Sequence, residues 1–222
     1  LAEAEAAFAR RADPGEVRRA ERLWSEAAVA DPAGVEGLIG VVRARAWLVE
    51  HERNGDQRLA LAGSAVEAGL WCGRRAPGSP ACDYWLAVAL GLQARERPAT
   101  AKEGLNLMVA ALRRAAAADP RLDLAGPHRV LALVLLRAPG WPLGPGDPES
   151  ALSEARAAAA LAPDHPPNQS VLGEALLAND RPGEGRTALA RALDLAREAA
   201  GDPDAPDWIR EAKRLESAHG LR

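Results

Sequence analysis

Apolar residues recur every three to four positions over most of this chain, which is the spacing of one helix face. In the stretch opened by Asp13-Pro14 they fall at Ala20, Leu23, Trp24 and Ala27. Asp is a good N-cap, and Pro suits the first helical turn. Asp31-Pro32 stops this helix and starts the next. Asp147-Pro148 opens another, with Leu152, Ala155 and Ala159 on one face. Pro182 opens a further one carrying Leu189, Ala192, Leu193 and Ala196, and Gly201 stands where a C-terminal glycine closes a helix. The pattern predicts about eleven helices, near 1–12, 15–30, 33–52, 56–71, 81–95, 100–118, 126–137, 148–162, 167–179, 182–200 and 205–219.

The stops are periodic. Pro32, Pro77, Pro120, Pro163 and Pro203 are separated by 45, 43, 43 and 40 residues. Three of the preceding helices also match internally, at Ala20, Trp24 and Ala27, then Met108, Leu112 and Ala115, then Ala151, Ala155 and Ala158. The helices that follow share a short apolar core that includes small residues: Leu38-Ile39-Gly40, Leu86-Ala87-Val88, Leu131-Ala132-Leu133 and Leu172-Gly173-Glu174. Small residues let the two helices of a hairpin approach closely. A fixed period of this length marks a repeat array whose hairpins bury their apolar faces on their neighbours. The predicted fold is all-α, an α-α superhelix (a tetratricopeptide-like solenoid) of about five helical hairpins in one domain over 1–222. The period exceeds the roughly 34 residues of a standard tetratricopeptide repeat. The excess lies in the connections Gln93–Thr100, Pro120–Pro127 and Ala138–Pro148.

Composition supports helices. Ala, the best helix former, supplies much of the 48% hydrophobic content, while Tyr and Phe occur once each. The net charge is −3, with no basic stripe for a phosphate backbone, so nucleic acid is not an expected partner. No window approaches the roughly 18 apolar residues of a membrane span. The chain begins at Leu1, which leaves room for a removed signal or lipid-attachment segment. Cys72 and Cys82 lie ten residues apart, on either side of 73–81. That spacing allows a disulfide, which would indicate an oxidising compartment, and equally allows two reduced thiols.

A family resemblance emerges from Asp83-Tyr84-Trp85-Leu86-Ala87-Val88-Ala89-Leu90-Gly91. It continues through Gly126-Pro127-His128-Arg129-Val130-Leu131, Pro139-Gly140-Trp141-Pro142-Leu143 and Gly146-Asp147-Pro148-Glu149-Ser150-Ala151. It ends around 161–176, with Pro163, Pro167, Asn168 and Leu172. Over roughly residues 80–200 the chain resembles the T component of tripartite (TRAP) transporters. The resemblance implies a tetratricopeptide-like periplasmic or secreted protein, in some cases lipid-anchored, with a cavity between helices. It implies association with a solute-binding subunit.

Catalytic chemistry finds no support. His51, His128, His165 and His219 lack a metalloprotease spacing, the cysteines lack a Cys-x-x-Cys spacing, and no nucleophile elbow or phosphate loop occurs. The expectation is a non-enzyme without metal or cofactor. The candidate contact residues are Tyr84, Trp85, Arg129, Trp141 and Asn168. Two Trp would wall an apolar pocket, and Tyr84, Arg129 and Asn168 would supply convergent polar groups. For Trp85 and Arg129 the alternative is a core position and an ion pair. Trp141 lies in a proline-broken loop, where it either plugs a gap between repeats or faces a partner. The first functional expectation is a binding protein for a protein partner or small ligand at the periplasm. The second is an intracellular scaffold, and the oligomeric state is open.

Overall fold

A computed structural model describes residues 1–97 and 101–220. Among them the eleven helices are α1 (Ala2–Phe8), α2 (Pro14–Ala30), α3 (Glu36–His51), α4 (Gly55–Arg75), α5 (Pro80–Glu96), α6 (Ala101–Ala118), α7 (Leu122–Arg137), α8 (Pro148–Leu161), α9 (Pro166–Ala178), α10 (Pro182–Glu198) and α11 (Ala205–Ala218). Part of the expected connection Gln93–Thr100, including the expected helix start at Thr100, lies outside the described residues. The fold class is all-α and tetratricopeptide-like. No described helix is long and apolar enough to cross a membrane.

The chain forms two compact units, Leu1–Ala118 and Asp119–Arg222. Within each, every helix packs against the next in hairpins. In the first, α3 touches α5 as well as its sequential neighbours; in the second, α7 touches α9 and α9 touches α11. Odd-numbered helices thus make one layer of each unit and even-numbered helices the other.

Capping follows the residues. The Asp13 carboxylate accepts from Gly15 N at 2.8 Å, and that of Asp147 from Ser150 N at 3.1 Å. Each satisfies an amide that the first helical turn leaves without a carbonyl. Asp31 ends α2 but does not itself begin α3. Its Oδ1 accepts from Ala33 N at 3.1 Å and Gly34 N at 3.0 Å, so a tight turn precedes Glu36. Gly201 does not close α10. The helix ends at Glu198, and Gly201 lies beyond it without a left-handed φ. The first helix is shorter than expected, because 9–12 form turns. α4 is longer, running through Cys72 to Arg75.

That extension puts Cys72 near the end of α4 and Cys82 in the first turn of α5. A disulfide joins them across a Cα–Cα distance of 5.3 Å. The bond ties the successive helices α4 and α5 at a buried point.

Small residues set the helix spacing where the repeat pattern placed them. Gly40 of α3 faces the buried ring of Trp24 on α2, and a Cβ at Gly40 would lie 2.2 Å from that ring. Phe8 of α1 packs on the same Trp24 at 5.4 Å between centroids. In the second unit a Cβ on Gly173 would meet Leu189 at 2.7 Å, and one on Gly185 would meet Leu177 at 2.8 Å. In an exposed helix Gly→Ala gains about 1 kcal/mol. Here Gly40→Ala is expected to reverse that sign, with a loss of about 1–3 kcal/mol from overpacking against Trp24. Urea denaturation followed by circular dichroism measures it.

Candidate functional site

The five candidate residues divide between the units. Tyr84 and Trp85 lie on α5 in the first; Arg129 on α7, Trp141 in the α7–α8 loop and Asn168 on α9 lie in the second. Tyr84 is buried and meets Trp85 edge-on, 4.9 Å between centroids at 63°. Arg129 and Asn168 are brought together, with Arg129 Nη1 donating to Asn168 Oδ1 at 3.1 Å.

What joins Arg129 and Asn168 is a backbone feature. Asp123, Leu124 and Ala125 have φ of 48°, 54° and 64°, one turn of left-handed helix made by three non-glycine residues. The continuous right-handed helix of α7 runs only after them, from Gly126-Pro127, in line with the expected start at 126. A left-handed conformation costs roughly 1–2 kcal/mol per residue, so the surroundings must hold it. Arg129 Nη1 donates to Asp123 O at 3.2 Å and Leu124 O at 3.1 Å, and Nη2 to the Asp123 carboxylate at 3.0 Å. Asn168 is fully buried. Its Nδ2 donates to Leu124 O at 3.0 Å, Ala158 O at 3.1 Å and Ala162 O at 3.0 Å. Ala158 lies in the last turn of α8, its carbonyl also accepting from Ala162 N at 3.1 Å, and Ala162 is the C-cap, where carbonyls run out of helical amides. One Asn thus ties the left-handed turn, the end of α8 and the start of α9.

A neighbour that the sequence did not bring forward completes this corner. His165, the N-cap of α9, meets Trp208 of α11 edge-on at 5.6 Å and 77°. Burial and, next, the Arg129 charge lower its pKa to about 4, with Asp123, Asp202 and Asp204 pulling the other way. The ring is therefore neutral at physiological pH. In the sequence His165 precedes the pair Pro166-Pro167, but nothing in the spacing linked it to Trp208.

Trp141 stands out in solvent. It is 90% exposed and so fills no gap between repeats; Leu143 beside it is 69% exposed. The loop is nonetheless ordered. Gly146 N donates to Pro139 O at 2.8 Å, Leu143 N to Gly140 O at 3.0 Å and Asp147 N to Leu135 O at 2.9 Å. A Cβ on Gly146 would lie 2.2 Å from Ala138 O, so this closure requires glycine there. The loop fixes an apolar tip in solvent.

A second surface feature lies in the first unit. A groove of about 360 Å³ runs between α2 and α4 over α3, walled by Val29, Leu38, Val41 and Trp71. Arg75 closes one end, its Nη1 donating to Ala28 O at 3.0 Å, Gly34 O at 3.1 Å and Asp31 O at 3.2 Å. Arg45 lies alongside, donating to Glu21 at 2.7 Å and Ser64 O at 2.8 Å. Nothing in the sequence pattern pointed to this groove, because its walls come from two separate hairpins.

No protein-family model matches the chain. No curated protein matches it either. Among solved structures it is similar to a thermophilic TPR protein of Thermus thermophilus, with a TM-score of 0.65 and 25% identity over 89% of this chain and 91% of that one. It is also similar to MamA, with a TM-score of 0.55 and 18% identity over 84% of this chain and 92% of that one. A MamA RS-1 double mutant gives 0.55 and 17% over 88% and 92%. The MamA likenesses speak for the fold alone. The chain is a TPR-like helical-repeat protein.

The His165 environment has a pH consequence. A folded pKa below the ordinary 6.5 contributes stability that is present above pH 6.5 and lost as pH falls toward 4. The carboxylates held low by hydrogen bonds, Asp147 and Glu211, keep their contribution above the ordinary carboxylate range and lose it as pH falls from that range through their lowered pKa values. The urea midpoint is expected to fall between pH 6.5 and 5 in the parent chain. His165→Gln should flatten that slope; an unchanged slope would place its cause elsewhere.

Proposed function

We propose that this chain is a non-enzymatic scaffold that binds a protein partner, with the Trp141–Leu143 tip at the contact. The observation that carries this reading is the ordered, outward-facing Trp141. An exposed Trp on a fixed backbone has little conformational freedom left to lose on binding, and Trp is enriched among interface hot spots. The TPR-like fold supports the same class of function, although a fold by itself does not determine function.

The finer reading is an accessory of solute-transport assembly at the periplasm, beside a solute-binding subunit. It draws on the resemblance over residues 80–200 to the T component. The buried Cys72–Cys82 disulfide favours an oxidising compartment over an intracellular scaffold.

Affinity capture from the native host under non-reducing conditions tests both levels. Wild-type protein should retain a discrete partner that Trp141→Ala loses at least tenfold, with helicity unchanged. Retention that is indifferent to Trp141 would sink the contact assignment. Capture of cytosolic proteins alone would sink the periplasmic reading.

A further inference from the structure

We propose that the Trp141–Leu143 tip of one copy seats in the α2–α4 groove of a second copy, giving a head-to-tail self-association. This rests on the reading of Trp141 as a contact residue and names the occupant of that contact.

Both halves of the contact are built into one chain. The donor is a rigid apolar projection with no charged residue between Ala138 and Gly146. The acceptor is an open, mainly apolar groove whose exposed walls are Val29, at 80%, and Trp71, at 55%, with the exposed carboxylate Glu67 also in its lining. Arg45 and Arg75 beside it have their guanidinium groups engaged with groups of their own unit. They therefore offer mainly aliphatic stems to an occupant. The volume of about 360 Å³ falls within the range of cavities that enclose an organic group the size of an indole.

Charge decides between possible partners. Asp147 and Glu149 follow the tip, whereas Arg74 stands at the groove rim, its guanidinium 4.9 Å from the Trp71 ring. The second unit carries more acidic than basic residues, and in the first the two nearly balance. Arg45, Arg75 and Arg74 outnumber the one carboxylate of the lining, Glu67, so tip against groove brings opposite signs together at the rim. Tip against tip would oppose acidic flanks, and an anionic lipid surface would meet the same repulsion. A contact between different patches is heterologous, so it propagates into rings or open chains.

The contact is small compared with the roughly 1,200–2,000 Å² of a stable interface, so association should be weak. Analytical ultracentrifugation of the oxidised chain tests it. The average mass of the wild type should rise above 23.3 kDa between about 10 µM and 1 mM, the regime of small transient contacts. Trp141→Ser and Val29→Glu change exposed positions, and circular dichroism checks that each variant is folded. Each alone should remain at monomer mass. Mixed one to one, they should form a two-chain species and nothing larger, because only one intact tip and one intact groove can meet. Wild type that stays at monomer mass throughout overturns the proposal, as does self-association that either variant leaves intact or a mixture that stays monomeric. Tip-dependent binding of vesicles or of another protein by a monomeric chain also overturns it, and the latter would leave the scaffold reading standing.

Discussion

The second unit depends on one buried amide. Asn168 bonds three carbonyls and accepts from Arg129, and together these two side chains hold a turn whose backbone is unfavourable on its own. The turn takes the chain into α7 at the angle from which α7 packs on both α8 and α9. Arg129 cannot be read as a free ligand-binding cation, since its guanidinium is engaged with the turn, with Asp123 and with Asn168. Its effect on any partner passes through the geometry of this corner. Burial, with the Arg129 charge adding to it, keeps the His165 ring neutral, and the ring packs edge-on against Trp208.

The first unit is organised differently. Its spacing is set by contact between glycine and aromatic ring, Gly40 against Trp24, and by the covalent tie between α4 and α5. Close approach of α2 and α3, with α4 laid beside them, leaves the groove lined by Val29 and Trp71. The surface feature is thus a by-product of tight packing beneath it. In the second unit, tight closure of a loop through Gly146 has the converse result, an apolar tip that nothing in its own unit covers.

Much of this fold was legible in the sequence, because helix boundaries here are written in local chemistry. Asp-Pro pairs cap and open α2 and α8, and the proline period gave the hairpin count. Gly126-Pro127 marked the start of regular helix in α7. The misreadings were also local: Gly201 resembled a cap, yet the helix ended before it. The candidate site was only partly legible. Arg129 and Asn168 were singled out and do meet, but their common object is the carbonyl row of 123–125, and three non-glycine residues give no warning of a left-handed turn. His165 with Trp208, and the groove, are joined by tertiary packing between distant segments, which periodicity cannot encode.

Arg129 and Asn168 act as one unit on the left-handed turn, and everything described for this corner follows from that. A double-mutant cycle with Arg129→Ala and Asn168→Ala, followed by urea denaturation, tests it most directly. Residues that share one hydrogen-bond network show coupling of about 0.5–3 kcal/mol. Coupling of at least about 1 kcal/mol is expected here, with the double variant scarcely less stable than the worse single one. Additive losses would contradict it, since they would mean that each side chain supports the fold independently of the other.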